Sequence, residues 1–151
     1  LMAEVWFYML EREPVDAVLP GLLARGLQRG LRLSVQSNDV EALKLLSDKL
    51  WAYEDVAFLA HGDASTPMPE KQPIYLTTAE DNPNGATFRF YIAGAEPLAM
   101  DGLSRASIMF DGNDAAALDH ARTLWRRFKG EGHAISYWKQ DESGRWVNQA
   151  A

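Results

Sequence analysis

Cysteine is absent from the 151-residue sequence, which excludes disulfide bonds, zinc–thiolate sites and catalysis by a thiol. No apolar run approaches the roughly 20 residues that a membrane-spanning helix requires. The N-terminus also lacks the basic segment and cleavage site of a signal peptide. Leu1 precedes Met2, and we expect the native chain to begin at Met2. These absences predict a cytoplasmic protein that does not associate with membranes.

The composition is that of a folded protein. Hydrophobic residues make up 47% of the chain and charged residues 24%, a balance that disordered chains do not have. A chain of this length fits one domain and buries a substantial core. We therefore expect a single domain over residues 2–149.

The net charge of −6 is unevenly distributed along the chain. Residues 1–119 carry 9 Lys and Arg against 18 Asp and Glu, whereas residues 120–151 carry 6 against 3. Such an acidic chain is a poor candidate for gripping a phosphate backbone, which requires many basic contacts. The basic C-terminal part suits a short acidic peptide, although a solvated helix face explains the same charges.

Hydrophobic periodicity predicts strands that alternate with helices. The predicted strands are Ala3–Leu10, Leu31–Ser37, Pro73–Thr78, Thr87–Ile92, Arg105–Phe110 and His133–Lys139. The predicted helices are Pro14–Arg29, a helix that ends at Trp51 after a capping box of Asn38 and Glu41, and Asp114–Lys129. This order indicates an α/β fold with a mostly parallel sheet flanked by helices, a Rossmann-like three-layer topology without a dinucleotide site.

Two local features qualify this fold. Pro20 lies inside the first helical pattern, so that helix is either kinked or begins later than its periodicity suggests. Residues 87–92 alternate apolar and polar side chains, which is typical of an edge or hairpin strand.

The sequence lacks the loops that α/β enzymes use to bind phosphates or to hold a nucleophile. The turn after the first strand, Glu11–Pro14, is acidic where a dinucleotide site needs Gly-x-Gly-x-x-Gly. No Gly-x-x-x-x-Gly-Lys-Ser/Thr loop and no Gly-x-Ser-x-Gly elbow occurs in the chain. We therefore expect no enzyme activity, no cofactor and no metal.

Five polar residues leave an enzyme as the alternative interpretation. His61, His120 and His133 lie far apart in the sequence, and ordinary surface or capping roles suit them better than a metal site. Asp111 and Asp114 follow a strand at the sheet edge where α/β sites form, so a small enzyme or nucleotide-binding protein could use them. A turn followed by a helix N-cap explains this pair more simply.

An aromatic cluster follows the second helix. It contains Trp51, Tyr53 and Phe58, in a segment with weak secondary-structure signals. Aromatic residues on such a segment either anchor the core or form the hot spot of a protein interface.

The last helix combines an apolar arc with three cations. Leu118, Ala121, Leu124, Trp125 and Phe128 share one side of the helix at about 100° per residue. Arg122, Arg126 and Lys129 continue around the helix from the Leu118 side, so Trp125 stands at the border of the core face. An aromatic ring bordered by guanidinium groups suits a ligand that has an apolar side chain and a carboxylate. An amphipathic helix whose tryptophan packs inward is the structural alternative.

Several motifs resemble the chi subunit family of DNA polymerase III over nearly the whole chain, in particular its alphaproteobacterial branch. They are Phe7-Tyr8-Met9-Leu10, the block from Lys49-Leu50-Trp51 to Phe58-Leu59-Ala60-His61, Asp81-Asn82-Pro83-Asn84-Gly85 and Phe110-Asp111-Gly112-Asn113. The resemblance implies a non-catalytic accessory subunit of the clamp-loader complex. It further implies two partners, the psi subunit and the acidic C-terminal tail of single-stranded DNA-binding protein, and no direct contact with DNA.

The resemblance also assigns residues to these partners. Trp51 and Phe58 match the aromatic residues that contact psi, with Tyr53 beside them, while Arg122, Trp125 and Arg126 match the tail-binding residues. The chain departs from the family at two of these sites. Ala60 stands where many relatives have proline. Leu118 occupies a basic position of the tail site, a departure that either weakens the site or is compensated by Lys129.

Overall fold

The computed structural model describes residues 3–53 and 61–149. The strands are β1 (Glu4–Leu10), β2 (Leu33–Ser37), β3 (Ile74–Thr77), β4 (Phe88–Ile92), β5 (Arg105–Asp111), β6 (Ile135–Gln140) and β7 (Trp146–Asn148). The helices are α1 (Val15–Gln28), α2 (Val40–Trp51) and α3 (Ala115–Gly130), with a short 3₁₀ turn at Pro69–Lys71. None of the described helices is long and apolar enough to cross a membrane.

The strands form one seven-stranded sheet in the order β3-β2-β4-β5-β1-β6-β7. Every neighbouring pair is parallel except β6 and β7, which form an antiparallel hairpin. The predicted α/β fold with a mostly parallel sheet is confirmed. Strand β7 was not predicted, because three residues are too few to establish an alternating pattern.

The helices cover both faces of the sheet unequally. Helices α1 and α2 pack together on one face, over a core that includes Leu19, Leu23 and Leu46. Helix α3 packs on the other face, over a core that includes Phe7 and Phe128. Since α3 is the one described helix on its face, the sheet beside it is left partly open.

Helix α1 accommodates its internal proline. The helix begins at Val15, directly after Pro14, and Pro20 stays inside it, so a start beyond Pro20 is wrong. Leu19 and Leu23 on either side of Pro20 are fully buried, and their packing outweighs one missing hydrogen bond. Gly30, with φ of 78°, ends the helix as predicted.

The N-cap of helix α2 lies one residue later than predicted. The N-cap is Asp39, whose carboxylate accepts a hydrogen bond from the backbone N–H of Glu41 at 2.9 Å, so the capping box with Asn38 is wrong. The Ser37 hydroxyl accepts from the Asp39 N–H at 3.0 Å and fixes this register. The predicted buried stripe of Leu43, Leu46 and Leu50 is confirmed.

Strand β4 lies inside the sheet, between β2 and β5, so its prediction as an edge or hairpin strand is wrong. The alternation misleads because the polar residue Arg89 is buried and only 3% exposed. Its guanidinium donates to Gln36 Oε1 and Ser34 Oγ of β2 and to the carbonyl oxygens of Ala79 and Asp81. A buried, fully bonded arginine therefore imitates the pattern of a solvated strand face.

Candidate functional site

Helix α3 is positioned by its cap and by its apolar stripe. The Asp114 carboxylate accepts from the N–H groups of Ala116 and Ala117, at 2.9 and 3.3 Å. Ala121, Leu124 and Phe128 are buried against the sheet, as the predicted arc requires. These contacts fix the rotation of the helix and thereby the direction of its basic residues.

A groove of about 610 Å³ runs beside α3, where the sheet is not covered. Its base is apolar and its rim is polar. The lining residues are Phe7, Phe110, Leu118, Ala121, Arg122, Trp125, Arg126, Tyr137 and Gln149. The structure thus brings Arg122, Trp125 and Arg126 together on one concave surface, which we call the α3 groove.

Trp125 connects the core to the α3 groove. Its ring lies 5.5 Å from that of Phe7 and 6.0 Å from that of Tyr137, between ring centroids, and the side chain is half-buried. Trp125 therefore stands at the border of the core face, as predicted. It packs against the core, and the rest of the side chain lines the α3 groove.

Tyr137 forms part of the opposite wall of the α3 groove. Its hydroxyl donates to Met9 Sδ at 2.8 Å. Burial and the nearby Glu11 carboxylate raise the pKa of Tyr137, while the positive charge of Arg122 opposes that rise. Tyr137 and Arg122 thus both line the α3 groove.

The cations of α3 fall into two groups. Arg127 is engaged: it donates to the Pro97 carbonyl at 2.7 Å and forms ion pairs with Glu96 at 3.6 Å and Glu131 at 3.7 Å. Across residues 3–53 and 61–149, no carboxylate lies within ion-pair distance of Arg122 or Arg126. These two exposed guanidinium groups are therefore available to a carboxylate from outside.

The predicted tail site and the α3 groove do not coincide completely. Lys129 is exposed on α3 but does not line the groove. Tyr137 and Gln149 line the groove, but the sequence did not predict them as site residues. They lie near α3 only because β6 pairs with β1 and β7 pairs with β6. The alternation along β6 was the signal for Tyr137, since Ile135 and Tyr137 face the same core as α3.

The second predicted cluster lies at the end of α2. Trp51 is 52% exposed, and Tyr53 packs partly against the core below α1 and α2. Phe58 lies outside the described residues. Trp51 contacts His61, with ring centroids 4.4 Å apart, and His61 Nε2 lies 2.7 Å from the Ser47 hydroxyl. The buried, hydrogen-bonded ring of His61 thus packs against the exposed ring of Trp51.

The carboxylates at the sheet edge are already engaged. Asp111 accepts from the Asn113 N–H at 2.8 Å, and Asp114 caps α3. The preferred interpretation of this pair as a turn and an N-cap is therefore confirmed. In the part of the chain that the structure describes, no group of three His, Asp or Glu side chains could hold a metal ion.

Comparison with known proteins shows which family this chain resembles. The model of the family described as DNA polymerase III chi subunit, HolC, matches residues 2–136. A protein named probable DNA polymerase III subunit chi, from Rickettsia prowazekii (strain Madrid E), is 40% identical over 53 residues. That similarity covers 35% of this chain and 32% of the relative, so the chain spans about a third of the length of the curated protein it matches.

Proposed function

This chain belongs to the DNA polymerase III chi subunit family, and we propose that it serves the polymerase as a non-catalytic tether. The α3 groove would bind the acidic C-terminal tail of single-stranded DNA-binding protein. The surface around Trp51 would bind psi and, through it, the clamp loader. The accessory subunit would thus connect the clamp loader to the protein that coats the single-stranded template.

The observation that carries the tail proposal is that Arg122 and Arg126 lie beside Trp125 at the rim of the α3 groove and form no ion pair with a carboxylate of residues 3–53 and 61–149. A peptide that ends in an apolar residue has a side chain and a carboxylate on the same carbon atom. The apolar base of the groove suits the side chain, while Arg122 and Arg126 at the rim suit the terminal carboxylate and the acidic residues before it. A contact of this kind is expected to be weak, and several tails on one oligomer would raise the avidity.

We predict that a tail peptide binds the α3 groove in a salt-dependent manner and through its free carboxylate. In a ¹⁵N-labelled sample, the Trp125 indole N–H resonance should shift on titration while that of Trp51 does not. Raising the ionic strength should weaken binding, because the rim charges are exposed and screened. The matched control is the same peptide with a C-terminal amide, which should bind about tenfold more weakly. Equal affinity of the two peptides would contradict the proposed orientation.

We predict that Trp51→Ala abolishes the association with psi without unfolding the chain. Removing a half-exposed indole from the centre of an interface typically costs ~2 kcal/mol or more of binding free energy. Co-purification of the two subunits and calorimetry measure the effect. Leu45→Ala is the control, because Leu45 is 56% exposed on the same helix. Wild-type association of Trp51→Ala would place the psi surface elsewhere.

A further inference from the structure

A second groove lies on the other side of the β6–β7 hairpin, between the hairpin and α1. Its volume is about 640 Å³. Trp6 and Tyr8 of β1 form its floor, Trp138 and Trp146 form the hairpin wall, and Gly21 lies in the helix wall. We call it the hairpin groove. It is separated from the α3 groove by the sheet, because α1 and α3 cover opposite faces.

The aromatic residues of the hairpin groove are arranged as a stacking surface. Trp6 and Trp138 stack with ring centroids 4.7 Å apart and an interplanar angle of 23°. Trp146 lies against Tyr8 at 5.0 Å and 34°. The Trp6 ring lies between Trp138 and the Arg105 guanidinium, whose Cζ is 3.5 Å from the ring centroid, so both of its faces are covered. Trp138 and Trp146 are half-buried and offer the remaining aromatic surface to a flat partner. Stacking on such surfaces is the usual way in which proteins hold unpaired bases.

Two arginines stand on opposite walls of the same groove, Arg25 on α1 and Arg145 on the hairpin. The Arg145 side chain is 84% exposed and meets Asp141 only at 3.9 Å. Arg25 has no ion pair with any carboxylate of residues 3–53 and 61–149, and its charge opposes the rise in the pKa of Tyr8 that burial causes. Glu13 is the acidic residue among the lining residues. The groove therefore combines aromatic surfaces with two cations suited to a phosphate.

The helix wall leaves room for a planar group. Ala17 and Gly21 are the small residues of this wall, one helical turn apart. A Cβ atom added at Gly21 would meet nothing within 4 Å. The space in front of Gly21 is therefore open, between the side chains of Val18, Leu22 and Arg25 that also line this wall.

We propose that the hairpin groove binds an unpaired nucleotide of single-stranded DNA. The base would stack on Trp138 and Trp146, and its phosphate would lie between Arg25 and Arg145. The overall charge of −6 excludes a long phosphate track. Glu13 in the lining and Asp141 beside Arg145 further limit the phosphate contacts to the two arginines, so we expect a site for one or two nucleotides. The contact is expected to be weak, with a Kd of about 10⁻⁴ M at low salt. This site goes beyond the tether and departs from the expectation, drawn from the family resemblance, that the chain makes no direct contact with DNA. Neither the site nor the tether depends on the other.

The test is a titration of the ¹⁵N-labelled chain with a short oligothymidylate at low salt. The indole N–H resonances of Trp6, Trp138 and Trp146 should shift, whereas those of Trp51 and Trp125 should not. Gly21→Leu should weaken binding about tenfold or more, because the new side chain occupies the groove. Leucine has the higher helix propensity, so this variant should fold at least as stably as the wild type. Gln28→Leu places the same side chain on exposed α1 surface and should change nothing.

Charge and ligand class are tested in the same way. Arg25→Gln should reduce the slope of binding against salt by about one. Unchanged indole resonances in the wild type, or full binding by Gly21→Leu, would overturn the proposal. So would N-acetylphenylalaninamide binding as tightly as the oligonucleotide, since the groove would then accept an aromatic side chain of a protein. Gly21→Leu should retain tail-peptide binding, which separates failure of this site from failure of the tether.

Discussion

Reversing both rim charges of the α3 groove, by Arg122→Glu with Arg126→Glu, should weaken tail-peptide binding roughly 30- to 100-fold. Two charge-assisted contacts are lost and two repulsive ones replace them. Because both guanidinium groups are exposed and screened, the combined effect should be roughly 2–3 kcal/mol rather than the sum of two buried contacts. Calorimetric titration with the free-carboxylate peptide measures the loss.

The control for this variant must carry the same total charge. Lys44→Glu with Lys71→Glu changes two exposed cations far from α3 and makes the chain equally acidic. It should bind the tail peptide within about twofold of the wild type, because charges beyond a screening length contribute little at ordinary ionic strength. If both double variants lose affinity to the same degree, the peptide responds to overall charge and the α3 groove is not its site.

The sequence predicted α3 well because the signals for this helix are local. Asp114 is a favoured cap residue, the apolar stripe repeats with helical spacing, and the cations around Trp125 follow from their angles alone. The groove beside the helix was not predictable in the same way. Tyr137 lies on a strand that reaches β1 by a crossover, and Gln149 follows a strand that pairs with β6. Their approach to Trp125 is a property of strand order, which no local pattern encodes.

The hairpin groove illustrates the same limit more strongly. Trp6 and Trp146 are separated by more than a hundred residues. Trp6 and Trp138 appear in the sequence as ordinary strand residues, whereas Trp146 lies where no strand was predicted. Only the antiparallel return of β7 brings Trp146 close to Tyr8. Helix α1 then completes the groove from the other side with small residues. A strand too short to be predicted therefore builds one wall of a proposed binding site.

The error at β4 leads to a prediction about stability. Replacing Arg89 with methionine should lower the free energy of unfolding by roughly 3–5 kcal/mol, a large part of what a domain of this size possesses. Its guanidinium satisfies two side chains of β2 and the carbonyl oxygens of Ala79 and Asp81. Methionine fills a similar volume but donates nothing, so these acceptors remain buried without partners.

Urea unfolding followed by circular dichroism measures this loss. Arg32→Met is the matched control, because Arg32 also donates to two carbonyl oxygens, those of Glu70 and Asn84, but lies at the surface. Water can replace Arg32, so this variant should lose no more than about 1 kcal/mol. Equal losses in the two variants would mean that burial of Arg89 contributes nothing special. The hydrogen bonds of Arg89 to β2 and to the carbonyl oxygens of Ala79 and Asp81 would then not explain why an arginine is buried in β4.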